Sequence, residues 1–191
     1  MIKDVSRILA LFTVLSFGCG GEDPISVSSP IGINLKAEDG DVKENNVISI
    51  DKGITTESGN PWGAFIDDVD DKLGVASADI ELEELELALG ASSEGVTALN
   101  EVFDGLVEVQ FEMNDTRNFF TVGTVNISSE TDGRTVPLDP SFDLRDYQAI
   151  DREKLLGGSF KVVLAASAEA EFKALKAKAE LQLTFTFAAY E

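Results

Sequence analysis

The sequence predicts an all-β domain: an antiparallel β-sandwich, jelly-roll or Greek-key-like, of eight or nine strands with one or two short helical turns. Three observations carry this expectation. From Ile31 onward apolar residues recur at every second position, the period of a half-buried strand. Turn-forming clusters such as Asn114-Asp115 and Asp132-Gly133 separate the runs. Helix signals, by contrast, are brief.

Taken in chain order, Ile31, Ile33 and Leu35 alternate with polar residues and read as the first strand. Val47-Ile48-Ser49-Ile50 is a second β-branched run, and Trp62 to Ile66 reads as a third strand. Ile80 and Leu82 share one phase, whereas Leu85, Leu87 and Leu89 share the other. One extra residue flips the phase of a strand, so the slip at Glu83-Glu84 predicts a β-bulge. Val107, Val109 and Phe111 alternate again. Phe120 and Val122 then precede another slip, at Gly123, before Val125 and Ile127. Val136 and Leu138 form a short run closed by Pro140. Thr97 to Asp104, stopped by Gly105, and Asp151 to Leu156, stopped by Gly157-Gly158, carry helix signals.

The C-terminal segment sets propensity against pattern. Ala165 to Ala179 is rich in Ala, Glu and Lys, which favour helix. The flanking alternation instead predicts a hairpin of Ser159–Glu171 with Lys176–Tyr190. Phe160 then faces Phe187, Val162 faces Phe185 and Leu164 faces Leu183, with Glu169 against Lys178 and Glu171 against Lys176. Apolar pairs on one face and ionic pairs on the other favour such a ladder.

The chain has 191 residues, 15 Lys+Arg, 35 Asp+Glu, no His and one Cys. That length suits one domain with a core. A net charge of −20 argues against a nucleic-acid partner, since phosphate contact needs a positive footprint. Without His there is no Ser-His-Asp or Cys-His catalysis and no His-ligated zinc. A lone Cys allows no internal disulfide and no thiol pair. Carboxylate chemistry, hard oxygen-loving cations and binding without chemistry remain.

The N-terminus reads as an export signal. Lys3 and Arg7 provide positive charge ahead of Ile8 to Phe17, an apolar run of about ten residues, too short to span a bilayer. Ser16 and Gly18 place small residues before Cys19, a pattern that also suits ordinary cleavage and plain secretion. The block LSFGC followed by GGEDP resembles the lipobox of bacterial lipoproteins, with Leu15 four residues before the Cys instead of an aliphatic residue at three. The resemblance implies removal of residues 1–18, acylation of Cys19 and a membrane partner engaged through lipid. Gly20 in place of Asp after the Cys implies forwarding to the outer membrane or cell surface. Gly20 to Pro30 is Gly/Ser/Pro-rich, so residues 19–30 read as a tether and 31–191 as the sandwich domain. ADIELEELEL, VTALNEVFDGLVEVQF, VGTV and LLGGSFKVVL also resemble, loosely, uncharacterised bacterial envelope lipoproteins with β-sandwich bodies. That likeness implies location and fold and carries no activity.

Within the domain, acid clusters in two early segments, Glu38-Asp39-Gly40-Asp41 and Asp67-Asp68-Val69-Asp70-Asp71. If successive strands run up and down, both fall at the end far from the membrane, joined by Asn114-Asp115, with the Lys173–Lys178 tip near the membrane. Asp39, Asp41, Asp67, Asp68, Asp70 and Asp71 are then candidate ligands for Ca²⁺, which takes six to eight oxygens, although the spacing is not that of an EF-hand. The alternative is a solvated acidic surface. Glu81, Glu83, Glu84, Glu86, Glu108 and Glu112 lie on predicted strands, where two carboxylates about 5–9.5 Å apart would suit glycoside hydrolysis. Sugar sites usually carry several aromatics, and this chain has one Trp and two Tyr. Trp62, after Asn60-Pro61, reads as a core residue or as a loop platform. The function expected is a lipid-anchored envelope module that binds a protein or glycan, or is structural, and is not an enzyme. A carboxylate-based glycoside hydrolase and a carrier of an apolar ligand are the alternatives.

Overall fold

The computed structural model describes residues 26–57, 59–74 and 78–191. Cys19, the signal segment and the first part of the tether lie outside them. The described chain forms β1 (Ser26–Glu38), β2 (Val47–Ile54), α1 (Pro61–Leu73), β3 (Asp79–Leu89), β4 (Phe103–Met113), β5 (Phe119–Ile127), β6 (Thr135–Pro140), α2 (Ala149–Leu156), β7 (Phe160–Ala168), α3 (Ala170–Ala174) and β8 (Lys178–Tyr190). The strands are ordered β1-β8-β3-β6-β5-β4-β7-β2, and every pairing is antiparallel. β5 and β6 touch only through Gly123↔Pro140 and Thr124↔Asp139, so the order divides into two four-stranded sheets. First strand beside last, second beside seventh, third beside sixth and fourth beside fifth is a long hairpin rolled up on itself. This is the jelly-roll arrangement.

Alternation places the core between the sheets. β1 turns Val27, Ile31, Ile33 and Leu35 inward, and β8 turns Leu181, Leu183, Phe185 and Phe187 inward. From the other sheet come Val107, Val109, Phe111 and Met113 of β4 with Phe160, Val162 and Leu164 of β7. Phe111 spans the gap, its ring 5.0 Å from Phe160 and 5.9 Å from Phe185.

Both predicted slips are bulges. The β3–β8 register shifts between Leu82 and Glu84, which brings Ile80 and Leu82 onto the same buried side as Leu85, Leu87 and Leu89. The β4–β5 register passes from Gly123 to Thr121, leaving Val122 as the extra residue. Gly123 leaves room for the Leu85 side chain, since an added Cβ would stand 2.4 Å from Leu85 Cδ2 and force that methyl to move.

Five expectations need correction. Trp62 to Ile66 is helix, the start of α1: Asn60 Oδ1 accepts the Trp62 N–H at 3.0 Å, and Pro61 opens the first turn without a donor to lose. Thr97 to Asp104 is helical only as a 3-10 turn at Leu99–Glu101, after which β4 begins at Phe103 and continues past Gly105, where its register with β7 shifts. Ser26 to Pro30, assigned to the tether, belongs to β1. The C-terminal hairpin does not form: β7 pairs with β2 and β4, whereas β8 pairs with β1 and β3. Between them α3, capped by the Glu169 side chain, buries Phe172 and carries the chain from one sheet to the other. Finally, the two acidic segments lie at opposite ends. With Trp62 to Ile66 helical, β2 returns the chain to the end where β1 begins, and α1 sits there.

Candidate functional site

The residues singled out by sequence do not converge. Asp39 and Asp41 occupy a 3-10 turn at the far end of β1, where Asp41 Oδ2 accepts the Glu38 N–H at 2.8 Å. Asp67, Asp68, Asp70 and Asp71 form the solvent face of α1, while Trp62, Phe65 and Val69 form its buried face. Asp68 pairs with Lys72 at 2.9 Å, one helical turn away. The eight residues of β2 carry the chain from the one cluster towards the other, about 25 Å at the usual rise. They make no common Ca²⁺ site, and among the described residues no group of three or more acidic or Cys side chains is placed to hold a metal.

The strand carboxylates diverge as well. Glu81, Glu83, Glu84 and Glu86 project from the outer face of the β1-β8-β3-β6 sheet, whereas Glu108 and Glu112 project from the outer face of the opposite sheet. Several serve cross-strand contacts. Arg145 Nη2 lies 2.6 Å from Glu81 and 2.8 Å from Asp143, and Nη1 lies 3.4 Å from Asp79. Tyr190 donates its hydroxyl to Glu83, and Thr186 donates to Glu84.

Hydrogen bonding by the Arg145 guanidinium holds Asp143 below the usual carboxylate range. A carboxyl group whose folded pKa is depressed adds stability above its unfolded pKa and loses it as pH falls through the folded value. Arg145→Ala should therefore return Asp143 towards the ordinary carboxylate pKa, read by an NMR titration of the side-chain carboxyl carbon. An unchanged titration would remove Arg145 as the cause.

Trp62 is core, not platform. It is 3% exposed, and its indole N–H donates to the Leu155 carbonyl at 2.9 Å. Its ring packs edge-on against Phe160 of one sheet and Phe187 of the other, at 5.6 and 5.0 Å. The void beside it, bounded by Ile31, Ile54, Trp62, Phe111 and Phe185, is about 10 Å³, room for roughly one water. An open groove of about 210 Å³ lies above it along the seam between edge strands β1 and β2. Pro30 and Lys36 on β1, with Asp51 and Lys52 on β2, blunt those edges against further strand pairing.

The β4–β5 turn meets α2 in a cluster that sequence reading missed. Asp151 is the one buried charged side chain among the described residues, 2% exposed. The Asn118 amide donates to both its carboxylate oxygens at 3.2 Å, and the Thr116 hydroxyl approaches at 3.5 Å. Lys154 reaches back to Asp115 at 2.8 Å, and hydrogen bonding from that ammonium lowers the Asp115 pKa. Tyr147 packs at a tilt against Phe120, ring centres 4.4 Å apart, and burial, helped by Asp146, Asp143 and Asp151, raises its phenol pKa. Beside these polar pins stand Phe119 and Ile150, 55% and 52% exposed. The doublet Phe119-Phe120 was the available signal, since successive strand residues face opposite ways and one Phe must point out.

No protein family and no curated protein matches the chain. Among solved structures, a chain of Desmodium yellow mottle tymovirus is similar over 100% of this chain and 95% of its own, at 12% identity and TM-score 0.28. A chain of turnip yellow mosaic virus is similar over 97% and 90%, at 13% identity and TM-score 0.26. Likeness at that level carries no functional argument. Among the described residues no helix is long and apolar enough to cross a membrane.

Proposed function

We propose that this chain is an exported bacterial envelope lipoprotein: acylated on Cys19, forwarded to the outer membrane, and acting through contact and not catalysis. The observation that carries the reading is the single Cys of the chain at the end of the export segment, in LSFGC behind Lys3, Arg7 and the apolar run. Two features of the fold support a role without chemistry. The strand carboxylates are divided between two outer faces, and Glu81, Glu83 and Glu84 are engaged by Arg145, Tyr190 and Thr186, which disfavours the glycoside-hydrolase alternative. The void beside Trp62, between the sheets, is about 10 Å³, against the several hundred Å³ a carrier of an apolar ligand needs.

Expressed in a bacterial host with lipoprotein-processing enzymes, the wild-type protein should stay in the membrane fraction and require detergent for release. Cys19→Ser should move it to the soluble exported fraction. A Cys19→Ser protein that remains membrane-bound would show that lipid on Cys19 is not the anchor.

A further inference from the structure

Five large apolar side chains are exposed among the described residues: Val47, Leu106, Phe119, Ile150 and Leu175. Their positions along the sandwich differ. β1 begins at the end where Tyr190 and Asp79 lie, and β6 places Pro140 towards that end, beside Gly123 of β5. Phe119, four residues earlier in β5, therefore stands at the Ser26 end. α2, which leads directly into Phe160, brings Ile150 to the same place. The bond between Asn118 and Asp151 joins the two segments that carry Phe119 and Ile150. Val47 pairs with Ser167, and Leu175 closes α3 beside the Asp39–Asp41 turn, so both stand at the opposite end.

We infer that the Phe119–Ile150 patch seats the domain on the lipid surface, with the Ser26 end down. The inference rests on the proposed lipidation of Cys19, and chain geometry selects the patch. Seven residue steps from Cys19 to Ser26 span at most about 25 Å. Thirteen strand residues put the far end about 40 Å from Ser26. A domain standing on Val47 and Leu175 would hold Ser26 higher above the bilayer than the linking chain can reach. Phe119 and Ile150 are within reach, and two apolar side chains entering the headgroup boundary provide a second anchoring element beside the acyl chains. The contact is apolar and not electrostatic, because α1 presents Asp67, Asp68 and Asp71 at the same end. Zwitterionic lipid therefore suffices.

Depth-dependent quenching of the full lipidated protein tests this. Acylation consumes the only native thiol, so Ile150→Cys and, separately, Leu175→Cys each take one bimane label. Both positions are exposed, and the urea midpoint followed by Trp62 emission confirms that each labelled protein is folded. In phosphatidylcholine vesicles carrying brominated acyl chains, the label at 150 should lose about twofold in emission, as insertion to about 5–10 Å requires, while the label at 175 is unchanged. Adding Phe119→Asp should abolish the loss at 150. Equal quenching at both positions, or none at 150 with Cys19 acylated by mass, overturns the inference and leaves the lipoprotein reading standing. An unacylated Cys19 overturns both.

Discussion

Trp62→Ala should cost the fold about 3–5 kcal/mol, the range for removing a large aromatic from a packed core. The side chain does three things at once. It fills the space between Phe160 and Phe187 and so joins the two sheets at one end. Belonging to α1, it also fastens that helix to the sandwich, together with Phe65, which packs 5.9 Å from Phe187. Its indole N–H satisfies the carbonyl of Leu155 at the end of α2. Trp62→Phe keeps much of the packing and loses the hydrogen bond, while the Leu155 carbonyl still accepts the Gly158 N–H at 3.0 Å, so its cost should be smaller, about 0.5–1.5 kcal/mol for that one bond. Urea unfolding followed by far-UV circular dichroism measures both. A loss below about 1 kcal/mol for Trp62→Ala would mean that the ring is not wedged between the sheets, since a core truncation of this size costs several times more.

Gly158→Ala should be nearly as damaging for a different reason. Gly158 adopts φ +62, and a Cβ there would stand 2.6 Å from the Thr56 amide nitrogen and 2.7 Å from the Thr55 carbonyl carbon. Left-handed backbone costs a residue with a side chain about 1–2 kcal/mol, and forced overpacking adds about 1–3 kcal/mol. The obstacles are backbone atoms of the segment between β2 and α1, so no rotamer change relieves them. Gly105 separates the two contributions: its φ is +86, yet nothing lies within 4 Å of an added Cβ. Gly105→Ala should therefore show the conformational cost alone, about 1–2 kcal/mol. Equal losses at the two glycines would mean that the close approach of Gly158 to Thr56 contributes nothing.

How much was legible in the sequence depended on which physical signal each residue carried. Alternation reports the face of a strand, and the strand residues it turned inward on β1, β3, β4, β7 and β8 are buried, with a bulge at both phase slips. It does not report the neighbour. Phe160, Val162 and Leu164 point inward, as do Phe187, Phe185 and Leu183, but they approach from opposite sheets and not side by side. Residues of the ionic pairs that suggested a hairpin take other roles: the Glu169 side chain caps α3, and the Lys178 backbone bridges to Glu94. Trp62 to Ile66 was misread because five apolar-rich residues fit either period. Extending the window to Val69 and Leu73 shows helical spacing, and Asn60-Pro61 marks an N-cap followed by a first-turn Pro. That error moved Asp67–Asp71 to the wrong end of the molecule. The buried Asp151 left no signal, because an Asp early in a helix is ordinarily solvated and only the β4–β5 turn folding over it hides the side chain.

The proposed placement of the domain at a membrane, and the inferred seating of Phe119 and Ile150, depend on the chemical state of one residue. Intact mass and N-terminal peptide mass spectrometry of the mature protein, purified from the membranes of a processing-competent bacterial host, measure it directly. The account predicts a mature chain beginning at Cys19, its sulfur carrying a diacylglyceryl group, with or without a third acyl chain on the amino group. A chain beginning at Cys19 with a free thiol, or one cleaved elsewhere and released as an unmodified secreted protein, would contradict it.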